Sequence, residues 1–173
     1  MSELHAKLIF FKILKGVQNC HNAGICHLDL KTDNILLDEN FVPKLCDFGF
    51  AIRNNGHLRE YLGTESYAAP EIFLHKTFDG FKADIFSLGV VLLNLTTCKF
   101  GFGAAVQNDE YYIYIMVKYY DQYWQKLKSI TGISENLKNL YVKMVAYKPS
   151  ERPTIEEIFN SEWMRELREM NNE

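Results

Sequence analysis

The chain has 173 residues, about one domain's worth, of which 47% are hydrophobic and 24% are charged. These values are ordinary for a folded globular protein and exclude an intrinsically disordered chain. The formal net charge of −3 predicts no strongly basic surface, so neither nucleic acid nor a membrane is expected among its partners.

The cysteines and the N-terminal residues indicate the compartment. The four cysteines, at positions 20, 26, 46 and 98, have no metal-binding C-x-x-C spacing. No basic segment followed by a long apolar run opens the chain, and every apolar run falls short of the ~20 residues that span a membrane. We therefore expect reduced thiols in a cytoplasmic or nuclear protein that is not secreted and has no transmembrane segment.

The first half of the chain predicts one helix and one hairpin. Apolar residues over 4–23 recur at helical spacing, and Gly24 is typical of a helix end. Two short apolar runs at 35–37 and 42–46 flank a turn signal at 38–40, which predicts two strands joined by a turn.

A long loop and then helices are predicted for the rest. Residues 47–70 show no periodicity, and a loop of this length in a compact domain is usually functional. Residues 83–97 are almost continuously apolar and predict a buried helix. Two or three further helices are predicted, over the stretches 110–127, 135–146 and 155–170. Thr154 is a good N-cap for the last, with Glu157 completing a capping box.

Two polar segments flank the predicted hairpin, HLDLKTDN before it and DFG after it. The hairpin would bring the carboxylates of Asp29 and Asp47 together with the amide of Asn34 and the positive charge of Lys31. Oxygen ligands beside a cation suit Mg²⁺ that holds phosphate oxygens. The sequence therefore predicts a site for phosphate chemistry here.

These segments are similar to the motifs of eukaryotic-type serine/threonine protein kinases. HLDLKTDN resembles the family's catalytic loop and DFG its metal-binding motif. Ala69-Pro70-Glu71 resembles the end of the activation segment, and 84–89 resembles the start of a buried central helix. Arg152 stands where the family has an arginine that pairs with the glutamate of Ala-Pro-Glu. The five motifs occur in family order, and the resemblance covers essentially the whole chain.

The resemblance implies an α+β, mostly α, structure: the C-terminal lobe of the protein-kinase-like fold, with a small β-hairpin that carries the catalytic and metal-binding loops. Residues 1–173 contain no Gly-rich loop, no Val-Ala-Ile-Lys lysine and no adenine-binding hinge. We therefore expect a partial kinase domain, and interpret the missing N-lobe as a truncation of the gene model or a partial sequence rather than as a genuine half-kinase. A partner that covers the face of the N-lobe is also expected.

The resemblance also implies the chemistry. Asp29 would accept or orient the proton of the attacking hydroxyl, and Lys31 would neutralise the γ-phosphate. Asn34 and Asp47 would hold Mg²⁺, so that these two residues and Lys31 bind ATP, with Leu36 as the floor under adenine. ATP and Mg²⁺ are thus the implied cofactors, and a protein hydroxyl is the implied substrate.

Further residues have implied supporting roles. Thr64, in the activation segment, would bridge the catalytic aspartate and lysine, as in serine/threonine kinases. The rings of His27 and Phe48 would stack as the lower half of the family's regulatory spine. Asp84 would bind the backbone of the catalytic loop, because a lone buried carboxylate is costly. Glu71 and Arg152 would be structural.

One residue departs from the family pattern. Leu28 replaces the usual arginine before the catalytic aspartate, which affects regulation more than chemistry.

Two other functions stay open. An inactive kinase-like scaffold or protein-interaction lobe would tolerate replacement of the catalytic residues. A small-molecule kinase is disfavoured by 63–64 and 69–71, because these segments shape a peptide-substrate site.

Overall fold

A computed structural model describes residues 2–54, 58–59, 63–74 and 77–170. The described part is mostly helical, with two small antiparallel sheets, in agreement with the predicted α+β class. Its α-helices are α1 (Glu3–Asn22), α2 (Pro70–Phe73), α3 (Gly80–Thr97), α4 (Tyr112–Met116), α5 (Tyr120–Lys126), α6 (Glu135–Met144), α7 (Ile155–Phe159) and α8 (Arg165–Met170). Its strands are β1 (Ile25–Cys26), β2 (Ile35–Leu37), β3 (Pro43–Leu45) and β4 (Ile52–Arg53).

Local signals set the ends of α1. The side chain of Ser2 accepts a hydrogen bond from the N–H of His5 at 3.3 Å, which caps the helix start. Gly24, just past the end, has φ 76°, a conformation that glycine adopts without steric cost. The predicted helix and its glycine stop are confirmed.

The predicted hairpin is present as β2 and β3, paired from Ile35 opposite Leu45. The Asp38 carboxylate closes the turn by accepting N–H groups from Asn40 and Val42, each at 2.9 Å. An aspartate that binds the backbone of its own turn is the reason that this residue type favours turns. The hairpin matters for function because it sets the relative position of the two polar segments at its ends.

The predicted loop over 47–70 is not wholly irregular, which corrects the prediction. Its strand β4 pairs with β1 in the register Ile25–Arg53 and Cys26–Ile52. Further along, Leu58 forms an isolated bridge with Phe78 and is buried. Two-residue strands are too short to show a period in the sequence, so periodicity could not reveal them.

Helix α3 is the central element. Its N-cap is Asp79, whose carboxylate accepts the N–H of Phe81 at 2.9 Å, and the helix starts at Gly80, three residues earlier than predicted. At Gly89 a Cβ would lie 2.9 Å from the Cβ of Met144, so glycine permits the close approach of α6. By length and composition alone α3 could cross a membrane, but 67% of it is buried inside the protein.

Two hydrophobic cores use α3. The first joins it to the aromatic residues of α4, α5 and α6, including Tyr112, Tyr123 and Tyr141. The second joins α3 to the apolar stripe over residues 10–17 of α1 and to the residues around α8. Its members from the C-terminal region are Ile155, Ile158, Trp163, Met164 and Leu167. Helix α3 thus contributes to both cores, and Leu30 of the loop after β1 belongs to the second.

Two predicted helices are broken. The helix expected over 110–127 is divided into α4 and α5 by Lys118, which has φ 61°. The helix expected over 155–170 ends first at Phe159 and resumes through a 3₁₀ turn into α8. The capping box at its start is confirmed, since Thr154 and Glu157 each accept the other's backbone N–H.

Candidate active site

The carboxylate of Asp29 is the centre of the site. Asp29 is only 3% exposed, on the loop between β1 and β2. Its Oδ1 accepts two hydrogen bonds from Thr64, one from the backbone N–H at 3.0 Å and one from the side-chain hydroxyl at 2.8 Å. Its Oδ2 lies 2.8 Å from the Lys31 Nζ and accepts the amide N–H of Asn34 at 2.9 Å. Three of the predicted site residues therefore meet at this carboxylate.

These contacts set the charge of the site. Burial of Asp29 favours its neutral form, but hydrogen bonds from Lys31 and Thr64, the charge of Lys31 and a hydrogen bond from Asn34 outweigh it, so the pKa of the carboxyl lies below its usual value. The hydrogen bond to Asp29 raises the pKa of Lys31. At neutral pH the pair is therefore an anion beside a cation.

A hydrogen bond between Lys31 and Thr64 joins the catalytic-type loop to the activation segment. The Lys31 Nζ donates to the Thr64 hydroxyl at 2.9 Å while also contacting Asp29. The bridge by Thr64 that the family resemblance implies is thus present in the structure. It holds the segment after Gly63 against the loop that carries Asp29.

Asp84, on α3, holds the backbone of the same loop. It is fully buried and accepts the N–H groups of His27 at 2.8 Å and Leu28 at 2.9 Å. Leu28 has φ 63°, a left-handed conformation that costs about 1–2 kcal/mol in a residue with a Cβ. Two hydrogen bonds to a carboxylate offset that cost. Asp84 therefore has the backbone partners that were predicted for it.

His27 connects the loop to the segment before Asp47. The Asp29 N–H donates to its Nδ1 at 3.4 Å, so the proton is on Nε2, which donates to the Cys46 carbonyl at 3.1 Å. Its ring also contacts the ring of Phe48, with centroids 4.8 Å apart. The predicted contact between these two rings is present.

Asn34 and Asp47 lie at the open end of the hairpin. The Cys46 N–H donates to the Asn34 carbonyl at 3.0 Å, which continues the β2–β3 pairing by one residue and places Asp47 next to it. Asp47 is exposed, and its Oδ1 accepts the N–H of Gly49 at 3.2 Å. The two predicted metal ligands are therefore brought close together in the fold.

The chemistry of these donors fits Mg²⁺. Because the Asn34 amide nitrogen donates to Asp29, the amide oxygen is the atom left to act as a ligand. Within the described ranges, no group of three or more His, Cys, Asp or Glu side chains could hold a metal. One carboxylate and one amide instead suit Mg²⁺, which commonly keeps waters and substrate phosphates as its other ligands.

Leu36 extends from β2 beside these donors and is 57% exposed. Leu37, Phe41 and Phe48 are also exposed. Apolar side chains accessible near polar oxygens are the kind of groups that contact a flat ring in a ligand site. Leu36 is thus accessible in the way that its predicted role requires.

Glu71 and Arg152 form a buried ion pair away from Asp29. The Nη1 and Nη2 atoms of Arg152 donate to the two carboxylate oxygens of Glu71 at 2.7 and 2.6 Å. Arg152 also donates to the carbonyls of Ala146 and Lys82, each at 2.9 Å. The pair anchors α2, and with it the end of the activation segment, to the helical core.

The sequence reasoning missed two contacts at this site. The Nε2 atom of His21 lies 2.8 Å from Asp84 Oδ2. The hydroxyl of Thr32 lies 3.0 Å from that of Tyr67. A fully buried carboxylate needs several partners, so the position of His21 at the end of α1 was an available signal. No local pattern indicates the pairing of Thr32 with Tyr67.

Comparison with known proteins agrees with these motifs. Residues 1–164 match the family described as protein kinase domain. CBL-interacting protein kinase 26 of Oryza sativa subsp. japonica is 34% identical, over 98% of this chain and 34% of the relative. CBL-interacting serine/threonine-protein kinase 14 of Arabidopsis thaliana is 35% identical, over 91% and 35%. Sperm motility kinase 2B of Mus musculus is 32% identical, over 96% and 33%.

The chain therefore spans about a third of the length of these relatives. The family match covers far more than half of the chain. On the strength of that match and of the motifs around Asp29, the chain belongs to the eukaryotic-type protein kinase family.

Proposed function

We propose that this chain is the C-terminal, catalytic lobe of a serine/threonine protein kinase, which transfers the γ-phosphate of ATP to a protein hydroxyl once an N-lobe is present. One observation supports the proposal: Lys31, Asn34 and Thr64 all contact the carboxylate of Asp29, and Lys31 also donates to Thr64. A scaffold lobe would not need this arrangement.

Asp29 would receive the substrate hydroxyl. Its lowered pKa makes it a weak base, so its main contribution is to orient the hydroxyl toward the phosphorus and to accept the proton as the new bond forms. The bond from the γ-phosphorus to the bridging oxygen of ATP breaks, which yields ADP and a phosphoester. Thr64 and Asn34 keep the carboxylate in place during this step.

Lys31 would lie beside the transferred group. Its raised pKa keeps it cationic, so it can neutralise charge on the phosphate oxygens. Asn34 and Asp47 would hold Mg²⁺, which supplies further charge neutralisation for the phosphates of ATP. Leu36 would contact the adenine ring. Serine and threonine are favoured as acceptors because Lys31 and Thr64 follow the serine/threonine pattern.

The test is a phosphorylation assay on this chain joined to the N-lobe of the matched rice kinase, with Mg-ATP and a peptide array. We expect phosphate transfer to serine or threonine peptides. Asp29→Asn should reduce it by about a thousandfold, because it removes the acceptor carboxylate, and should leave ATP binding nearly unchanged. Asp47→Ala should weaken Mg²⁺-dependent ATP binding.

Asp121→Asn is the matched control, since this aspartate is exposed on α5, and it should retain full activity. An Asp29→Asn variant that keeps its activity would contradict the proposal and favour a scaffold lobe.

A further inference from the structure

We propose that the hydrogen bond between Thr32 and Tyr67 is a positioning contact, which sets the substrate-binding segment of the activation region at a fixed angle to Asp29. The inference rests on the proposed function, because that segment is taken to receive the protein substrate. Neither residue touches the reacting atoms in this scheme, and both act through Thr64 and Asp29.

The contact joins two short 3₁₀ helices. Thr32 begins the helix Thr32–Asn34 and directly follows Lys31, while Tyr67 ends the helix Glu65–Tyr67. Their hydroxyl oxygens are 3.0 Å apart. Residues 35 positions apart in the sequence are thus joined by one hydrogen bond, next to the residues that hold Asp29.

Tyr67 itself is firmly held by other elements. It is 5% exposed. Its carbonyl accepts the hydroxyl of Ser87 on α3 at 2.8 Å, and its ring meets the edge of Phe100 at a centroid distance of 5.5 Å. The phenol oxygen is therefore a fixed point of the helical core, from which a hydrogen bond can position the loop at Thr32.

The segment that contains Tyr67 also contacts Asp29, through Thr64. Thr64 is already bound to Asp29, and it lies one 3₁₀ turn before Tyr67, whose N–H donates to the Thr64 carbonyl at 3.0 Å. Because Tyr67 is also fixed to α3, a catalytic loop joined to this segment only between Asp29 and Thr64 could still shift against it. The additional bond from Thr32 to Tyr67 removes that freedom, so residues 68–70, which follow, have one orientation relative to Asp29.

Loss of either hydroxyl should therefore disturb substrate placement rather than ATP binding. The loss of one neutral hydrogen bond changes a rate or equilibrium constant by about two- to tenfold. We expect Thr32→Val and Tyr67→Phe to lower kcat/KM for a protein substrate by that factor while leaving the KM for ATP unchanged. Because both variants remove the same bond, the double variant should be no worse than the more affected single variant.

The first experiment does not depend on kinase activity. Hydrogen exchange is measured by NMR on the 173-residue chain. In Thr32→Val and in Tyr67→Phe, the Thr64 amide should exchange about two- to tenfold faster, since one hydrogen bond that holds its segment is lost. The amides of His27 and Leu28, which donate to Asp84, should be unaffected and serve as an internal reference.

Two control variants separate positioning from general damage. Thr32→Ser keeps the hydroxyl and should behave like the parent. Tyr119→Phe removes a tyrosine hydroxyl from a residue that is 58% exposed and should change neither exchange nor activity.

The second experiment measures peptide and ATP kinetics of the same variants joined to the N-lobe. If the parent fusion transfers no phosphate, the proposed function is wrong, whereas the exchange data still decide whether the contact positions Thr64. If the fusion is active but Thr64 exchange and peptide kcat/KM are unchanged in both hydroxyl deletions, the inference alone is overturned. An equal change in the KM for ATP would also contradict it.

Discussion

Asp84 keeps Leu28, 56 positions earlier in the chain, in a left-handed backbone conformation: the Leu28 N–H donates to Asp84 Oδ1 at 2.9 Å, and its φ is 63°. The neighbouring N–H of His27 donates to the other oxygen at 2.8 Å. A helix in the centre of the fold thus determines the backbone geometry directly before Asp29.

The Asp84→Ala variant should be strongly destabilised. It leaves two buried N–H groups without an acceptor, and we expect a loss of about 3 kcal/mol in the free energy of unfolding. Urea denaturation measures it. Asp79→Ala, which removes the N-cap of the same helix and a hydrogen bond from Asn54, is the control and should cost about 1–2 kcal/mol. Equal losses of unfolding free energy in the two variants would show that the hydrogen bonds to Asp84 stabilise the fold no more than an N-cap does.

The buried pair of Glu71 and Arg152 should show strong coupling. Glu71→Leu and Arg152→Met each leave one buried charge unpaired, at a cost of about 3–5 kcal/mol, whereas the double variant should cost less than their sum by about 2 kcal/mol or more. Thermal and urea unfolding of the four proteins give the coupling. The exposed pair of Lys118 and Glu151 is the comparison, where little coupling is expected. Additive losses at the buried pair would contradict this expectation.

Stability should fall in acid partly because of Glu3. Burial opposes its ionisation, but hydrogen bonds from Ser134 and Trp163 and the charge of Lys7 outweigh it, so the pKa of Glu3 lies below its ordinary value of 4.5. A lowered folded-state pKa means that the stabilisation is complete above the unfolded value and is lost as the pH falls through the folded value.

Unfolding followed by tryptophan fluorescence tests this expectation. Glu3→Gln should be less stable than the parent at pH 7, and the difference should shrink as the pH falls below 4.5. Trp124→Phe can serve as the background, so that the signal comes from Trp163. A difference that is constant with pH would exclude a charged Glu3 as the cause.

The four cysteines should differ in reactivity. Burial, and next the charge of Asp84, raise the pKa of the Cys26 thiol to about 12, and its Sγ donates to the Ile52 carbonyl at 3.2 Å. Cys98 is exposed. Because the thiolate is the reactive form, iodoacetamide at pH 8 should alkylate Cys98 and spare Cys26.

Mass spectrometry of the digested protein measures the two sites. In concentrated urea both should react, which shows that protection depends on the fold. Equal labelling of the two residues in the folded protein would mean that the Cys26 environment is more open than described.

The parts of the fold that were predicted correctly are those with a local cause. The Thr154 capping box needs only residues within one helical turn, and Gly24 ends α1 through its own backbone freedom. Asp84 is a different case. Its position in an apolar helix was enough to require buried partners, and knowledge of the family motif named them.

The parts that were missed depend on distant residues. The pairing of β1 with β4 involves two residues on each side, which leaves no pattern to detect. The break between α4 and α5 falls at Lys118, where neither glycine nor proline marks it. Tertiary packing overrides local preference at such points. In the site, the hydroxyl pair of Thr32 and Tyr67 is likewise visible only once the chain has folded.

The second core has a consequence for synthesis in the cell. The apolar stripe over residues 10–17 of α1 belongs to a core that residues 163–167 complete. At about 5–20 residues per second, the stripe is translated roughly seven to thirty seconds before those residues. During that interval α1 presents an open apolar face, which is the kind of surface that chaperones hold and that aggregation begins from.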